Sequence, residues 1–208
     1  MAVPILHLAS SSPRRRELLA ALRIPFSSAG ADIDETPLGH EAAEDLALRL
    51  AREKALAASR AGHTDLPILG ADTVVVLGTE VFGKPVSRDE ALDMLARLSG
   101  QTHRVVTAVS LYAAGAMHTA SSATDVRFRT IGSDEARAYW ESGEPAGKAG
   151  AYAIQGRGGL FVEGLSGSYT GVVGLPVFET ALLLRHAGID VMTIPDDLAN
   201  DDSDGMKQ

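Results

Sequence analysis

Cysteine is absent from the 208-residue chain, which excludes disulfides, thiolate metal sites and a thiol nucleophile. Long hydrophobic runs are absent too: none approaches the ~20 residues of a membrane span, so no membrane association is expected. The opening apolar stretch is short and its positive charges follow rather than precede it, unlike a signal peptide, so a cytoplasmic location is expected. An excess of basic charge is also missing. The 19 Lys and Arg against 27 Asp and Glu leave a net charge of −8, which argues against a broad nucleic-acid-binding face and a stable nucleic-acid partner. Half of that charge lies in DDLANDDSDGMKQ, residues 196–208, which reads as a disordered acidic tail. No linker-like stretch or repeat interrupts residues 1–195, and the composition, 45% hydrophobic, fits a single α/β domain there. The complete GxxxxGK[ST] phosphate loop, HExxH and the GxSxG elbow are all missing, and His7, His63, His103, His118 and His186 are too scattered to receive a catalytic role.

What is present alternates between strand and helix patterns. The apolar run Val3 to Ala9 reads as a strand, and Ser12 and Pro13 read as N-cap and first residue of a helix burying Leu18, Leu19 and Leu22. A second strand is expected near Pro25 to Ala29, then the loop ADIDETPLGH. A long helix between Glu41 and Ala61 has a buried stripe through Leu46, Leu50 and Ala57, with Lys54 near its edge. LPILGADTVVVLG reads as a buried strand interrupted by Asp72. Ser87 and Glu90 form a capping box for a helix that Gly100 closes. Paired strands are expected over 103–112 and 117–130, then a short helix from Ser133 to Ser142. Ten of the 21 glycines fall between Gly143 and Gly174, which predicts tight turns and close backbone approaches. Pro176 opens the last helix and Gly188 ends it.

The charges are placed against local preference. In LASSSPRRRELL, Arg14, Arg15 and Arg16 fall in the first turn of the helix, where exposed N–H groups already carry partial positive charge and each cation costs a few tenths to roughly 1 kcal/mol. Such a turn either is a solvated surface or, with its serines and backbone donors, binds a polyphosphate. Asp72 costs several kcal/mol to ionise among Val, Leu and Ile unless something compensates it. It reads as a metal ligand, a general base, or a structural aspartate bonded to loop amides. Lys54 either joins that group or snorkels to water; Lys84 in FGKP and Glu35 in DIDET read as site residues or as ordinary loop and turn residues. Together they make the inventory needed to bind a metal–triphosphate and activate water.

LASSSPRR, the EKA around Lys54, GADTVV, GKP, EALDMLARLSGQTHRVVTAV and GLP occur in one order over residues 5 to 188, and in this the chain resembles the Maf family of nucleoside triphosphate pyrophosphatases. The resemblance implies hydrolysis between the α and β phosphates to the monophosphate and diphosphate with a divalent cation, Mg²⁺ or Mn²⁺. It implies an α/β fold, an elongated mixed sheet flanked by helices with two lobes around a cleft (Maf/ITPase-like), and a homodimer. By the same resemblance Asp72 is the proton acceptor and, with Glu35, handles the metal, while Ser10, Arg14, Arg15, Lys54 and Lys84 handle the phosphates. AGAYAIQGRGGLFVEGLSGSYTGVVGLP resembles the branch acting on dTTP and UTP, modified uridine triphosphates included, in which Arg14, Thr73 and Gln155 match the specificity positions. Gly159 and Gly171 depart from that branch, where Ala and Asn stand. The alternatives are the 7-methyl-GTP branch, which differs where YAIQG stands here, and a nucleotide-binding regulator of division or septum formation without turnover.

Overall fold

In the computed structural model, which describes residues 3–194 except 40, 63 and 64, the apolar segment Ile68–Leu77 forms a ten-residue strand, β3, at the centre of a seven-stranded mixed sheet. Before it come β1 (Leu6–Ala9), helix α1 (Pro13–Ala21), β2 (Phe26–Ala29) and α2 (Ala43–Arg60). After it come β4 (Glu80–Phe82), α3 (Arg88–Leu98), β5 (Thr102–Ala113), β6 (Ala116–Phe128), α4 (Ser133–Glu141), β7 (Val162–Ser166), the short α5 (Tyr169–Val173) and α6 (Val177–Leu184). The order across the sheet is β2-β1-β3-β5-β6-β7, with β4 beside β3. β1 runs parallel to β2 and β3; the remaining pairs are antiparallel.

The two largest of four buried clusters sit at opposite ends of the same long strands. Leu69 and Ala71 of β3 and Val109 and Leu111 of β5 pack with Leu6, Leu8, Leu19 and Leu184 in one. Val75, Val105, Val126 and Phe128 pack with Leu95, Leu98, Tyr139 and Phe161 in the other. These are the expected two lobes, joined by continuous strands.

Several local expectations are refined. Lys54 lies inside the buried stripe of α2, 7% exposed, and Ala58 rather than Ala57 is the buried alanine of the last turn. Ser87 Oγ accepts the Glu90 N–H at 3.2 Å as a capping box requires, but the Glu90 carboxylate reaches one residue further back, to the N–H of Val86 at 2.7 Å. Strand β7 lies in the glycine-rich part where turns were read, and β4 lies where no element was read. Each is too short, or too interrupted by glycine, to show a period of two. The acidic segment 196–208 lies outside the described residues. Among the described residues no helix is long and apolar enough to cross a membrane.

One contact sets the position of the charges. A Cβ on Gly70 would lie 2.1 Å from the Ala51 carbonyl oxygen, so α2 lies directly against β3 there. Asp72 shares Gly70's face of the strand, two residues on, and Lys54 shares Ala51's face of the helix, three residues on. The packing therefore delivers Lys54 to Asp72.

Candidate active site

β3 has an interrupted edge. Its partner on one side is β5, from Ile68 to Val76. On the other side it pairs with β1 only at Ile68 and Leu69 and with β4 only from Val75 to Leu77. Between these, residues 70–74 have no strand partner on that side among the described residues. Consecutive strand residues point to opposite faces, so Asp72 and Thr73 can line one cavity only by flanking such an open edge. They do: a cavity of about 390 Å³ wraps around the gap. Ser10, Arg14, Arg15, Glu35, Lys54, Asp72, Thr73, Lys84 and Gln155, all the positions expected from the sequence, line it.

On the α2 face, Lys54 Nζ stands 2.6 Å from Asp72 Oδ1 and 2.6 Å from Glu35 Oε1, bridging two carboxylates. Lys84 Nζ holds the other Glu35 oxygen at 2.9 Å. Lys54 therefore does not snorkel to water, and the compensation that a buried Asp72, 7% exposed, requires is this ammonium. Partial burial pushes the Glu35 carboxyl up, but its bonds to Lys54 and Lys84 outweigh this and bring it down to about 2. The exposed Lys84 pair contributes little to stability, whereas removing Lys54 would leave the buried Asp72 charge without its partner.

On the opposite face Arg15 reaches three neutral oxygens: Nε donates to the Gly174 carbonyl at 2.8 Å, Nη1 to Ser10 Oγ at 3.3 Å and Nη2 to Thr73 Oγ1 at 3.1 Å. Thr107 Oγ1 donates to the Gly171 carbonyl at 2.7 Å and lies 3.0 Å from Thr73 Oγ1. Arg15, Ser10 and Thr73 thus form a brace tying α1 to β3 and to the 171–174 segment. None of its acceptors carries a formal charge, so the guanidinium's charge stays available to an anion. Burial pushes the Arg15 pKa down while Asp72 opposes it. Arg14 also has its pKa lowered by burial, against the pull of Glu17, and its Nε is buried without a partner. Ser12 is the N-cap of α1, but its side chain makes no capping bond. Ser12 N–H instead donates to Ser10 Oγ at 3.2 Å.

The facing wall is made by residues 146–155. Gln155 is exposed into the cavity, and Lys148 lines it as well, half-buried, its ammonium donating to the Ala146 carbonyl at 3.2 Å. Burial and then the neighbouring Arg14 charge lower the Lys148 pKa. Tyr152 closes the floor, its hydroxyl 2.9 Å from His103 Nε2, and burial lowers that imidazole to about 4. Sequence reasoning passed over Lys148, Tyr139 and Glu144, and gave His103 no catalytic role. The only signal for Lys148 was a lone lysine among glycines in EPAGKAGAY, and His103 sits in a strand pattern that gives no hint of what it faces. No histidine lines the cavity among the described residues.

Known proteins share this arrangement of sequence. The chain is 53% identical over 182 residues to the dTTP/UTP pyrophosphatase of Methylococcus capsulatus, covering 88% of this chain and 90% of that one. It is 55% identical over 186 residues to the dTTP/UTP pyrophosphatase of Myxococcus xanthus, with coverage of 89% and 93%. The structure of the Staphylococcus aureus Ham1 protein aligns over 59% of this chain and 71% of that one, with a TM-score of 0.43 and 14% identity. The family described as Maf-like protein matches residues 5–187. That span runs from just before β1 to just beyond α6 and takes in every side chain named in the cavity, so the chain belongs to the Maf family.

Proposed function

We propose that this protein hydrolyses dTTP and UTP, modified uridine triphosphates included, to the monophosphate and diphosphate. The observation that carries this reading is the Lys54 bridge between Glu35 and Asp72, set in a cavity that Arg14, Arg15, Lys84 and Lys148 also line. A site for an anion alone gains nothing from two carboxylates among its cations; a site that must also activate water does. The curated relatives' names support the same reaction and the same bases.

Arg14, Arg15, Lys84 and Lys148 bind the triphosphate, and this explains arginines at a helix start: a polyanion converts their mutual repulsion into attraction. Asp72 Oδ1 is held by Lys54, which leaves the other carboxylate oxygen to accept a proton from water. The water oxygen bonds to phosphorus of the α–β anhydride, the bridging P–O bond breaks, and diphosphate departs with the electron pair, its charge met by the lysines. Glu35 and Asp72 are hard oxygen donors of the kind Mg²⁺ or Mn²⁺ takes together with substrate phosphates; because Lys54 and Lys84 hold both Glu35 oxygens and one of Asp72, this pair would hold such an ion only with a lysine moved off the carboxylates and onto the phosphates. Bound there, it supplies charge neutralisation and a more acidic water. Gln155 reads the base: its amide carbonyl accepts N3–H of uracil or thymine and its amide nitrogen donates to O4, a pattern cytosine reverses. A homodimer in the cytoplasm fits this reading, with Phe178 (69% exposed) and Leu182 (44%), one turn apart on α6, offering apolar surface to a second copy.

The test is diphosphate release from UTP, dTTP, CTP and 7-methyl-GTP, with and without Mg²⁺ or Mn²⁺. Metal-dependent turnover of UTP and dTTP above the others is expected. Preference for 7-methyl-GTP would move the protein to the other branch, and tight nucleotide binding with no turnover under any metal would identify a regulator.

A further inference from the structure

The side chain of Gln155 projects into an open cavity, so its aim depends on the backbone that carries it. That backbone is held from outside the loop. Tyr139, on α4, is 4% exposed and its ring stands edge-on to Phe161, centroids 5.0 Å apart. Its hydroxyl accepts the Ala153 N–H at 3.1 Å and donates to Glu144 Oε1 at 2.7 Å. Glu144 in turn accepts the Gly158 N–H on Oε1 at 3.0 Å and the Arg157 N–H on Oε2 at 3.0 Å. The turn bearing Gln155 is thus fastened two residues before it by the tyrosine, and two and three residues after it by the carboxylate. The two fasteners are bonded to each other. The space between is filled: a Cβ on Gly156 would lie 2.3 Å from Glu144 Oε2, and one on Gly158 would lie 2.6 Å from the Tyr139 hydroxyl. Burial raises the Glu144 carboxyl, but its four partners, the Gly158 N–H, the Tyr139 hydroxyl, the Arg157 N–H and the Lys148 charge, together lower it, so it stays an acceptor. Neither side chain lines the cavity or belongs to the phosphate-binding set.

We propose that Tyr139 and Glu144 are positioning residues for base selection, fixing the backbone that carries Gln155 and so the distance and angle at which its amide meets the base. This rests on Gln155 reading the base. A glutamine on a loose turn can shift to meet either base, whereas one on a fastened turn reaches the base edge from one place only, and a base that does not suit that approach leaves polar groups poorly paired. Discrimination therefore resides in the fastening as much as in the glutamine.

The experiment measures kcat/KM for UTP, dTTP and CTP, with melting temperatures, for the full chain and for Tyr139→Phe, Glu144→Gln, Gln155→Leu and the double variant Tyr139→Phe/Gln155→Leu. Tyr139→Phe keeps the ring packing and removes only the hydroxyl. It is expected to lower the UTP-to-CTP ratio by about three- to tenfold, the loss typical of a hydrogen bond, while CTP turnover changes by less than about twofold. Glu144→Gln, which keeps size and one carbonyl acceptor, moves the ratio in the same direction. In the Gln155→Leu background Tyr139→Phe leaves the ratio unchanged, because the residue it acts through is gone. Equal losses on all three nucleotides in step with melting temperature would overturn the proposal in favour of a purely structural role. So would an equally large ratio change in the Gln155→Leu background. A normal ratio in Tyr139→Phe and Glu144→Gln, with a narrowed one in Gln155→Leu, would overturn the fastening alone. An unchanged ratio in Gln155→Leu itself would overturn the base-reading role, and the fastening with it.

Discussion

The two walls of the cavity are held by opposite means. On the α2 and β3 side, charged side chains hold one another: Lys54 spans Glu35 and Asp72, and Lys84 takes the remaining oxygen of Glu35. On the 146–159 side, side chains hold backbone: Tyr139 and Glu144 receive the N–H groups of Ala153, Arg157 and Gly158. On the proposed reading, the difference makes chemistry and selectivity separable in this molecule. The first wall stands or falls with its charge balance, the second with its fit.

The largest effect should come from removing the bridge. Lys54→Met leaves two carboxylates facing each other without the ammonium between them, so turnover should fall by about a hundredfold or more and stability by about 3 kcal/mol. The like charges raise one carboxyl in the folded state above its unfolded value, so the folded state binds more protons near pH 5. The variant's melting temperature should therefore rise as pH is lowered from 7 toward 5. A variant that melts like the parent at every pH would dissolve the charge-balance account of this wall.

Asp72→Asn should separate charge from chemistry within that wall. Lys54 keeps its Glu35 partner at 2.6 Å, so melting should shift little, while steady-state turnover falls by about a hundredfold or more for want of a proton acceptor. Near-normal kcat would remove Asp72 from the reaction.

Gly156→Ala addresses the other wall. Its added methyl would lie 2.3 to 2.6 Å from the Glu144 carboxylate and must displace it. The UTP-to-CTP ratio should drop several-fold with CTP turnover preserved; equal losses on both nucleotides would mean that the two walls are not separable.

A last comparison, which leaves turnover at neutral pH untouched, is a difference in pH window. His103, behind Tyr152, is brought by burial to about 4 from 6.5, so the unfolded chain binds more protons between those values. Its contribution is complete above pH 6.5 and declines as pH falls toward 4, with a slope of at most about 1.4 kcal/mol per pH unit. Glu35, depressed from 4.5 to about 2, keeps its contribution above 4.5 and loses it only as pH falls toward 2. Denaturation midpoints from pH 8 to 4 should show the first loss in the parent and not in His103→Gln. A parent curve that is flat from 6.5 to 4 would contradict it.

The first wall was legible in the sequence because charge at an unfavourable place announces itself: arginines at a helix start and an aspartate inside a Val-rich strand each demand a compensating partner. What the sequence withheld there was the partner's identity. That Lys54 meets Asp72 depends on Gly70 allowing α2 onto β3, a contact visible only when both elements are packed. Most strands and helices were legible from their periods, whereas β4, three residues long, and β7, with Gly164 at its centre, carry too little period to read. The second wall was the least legible. Glycine density marked it as a place of close approach, but backbone N–H groups have no sequence signature, so their acceptors, Tyr139 and Glu144, looked like ordinary helix and turn residues.

Continuous strands through both cores also decide how the cavity can move. Leu69 and Val75 lie in different lobes yet on one strand, as do Val105 and Val109. Many clefts between lobes close about a loop or two that absorb the change in backbone angle. Here no loop lies between the cores on β3 or β5, and widening the cavity means bending hydrogen-bonded strands together. Such a cleft is stiff. Any change in its width must then be spread along the ladder of β3 and β5 instead of being gathered at a hinge between the cores.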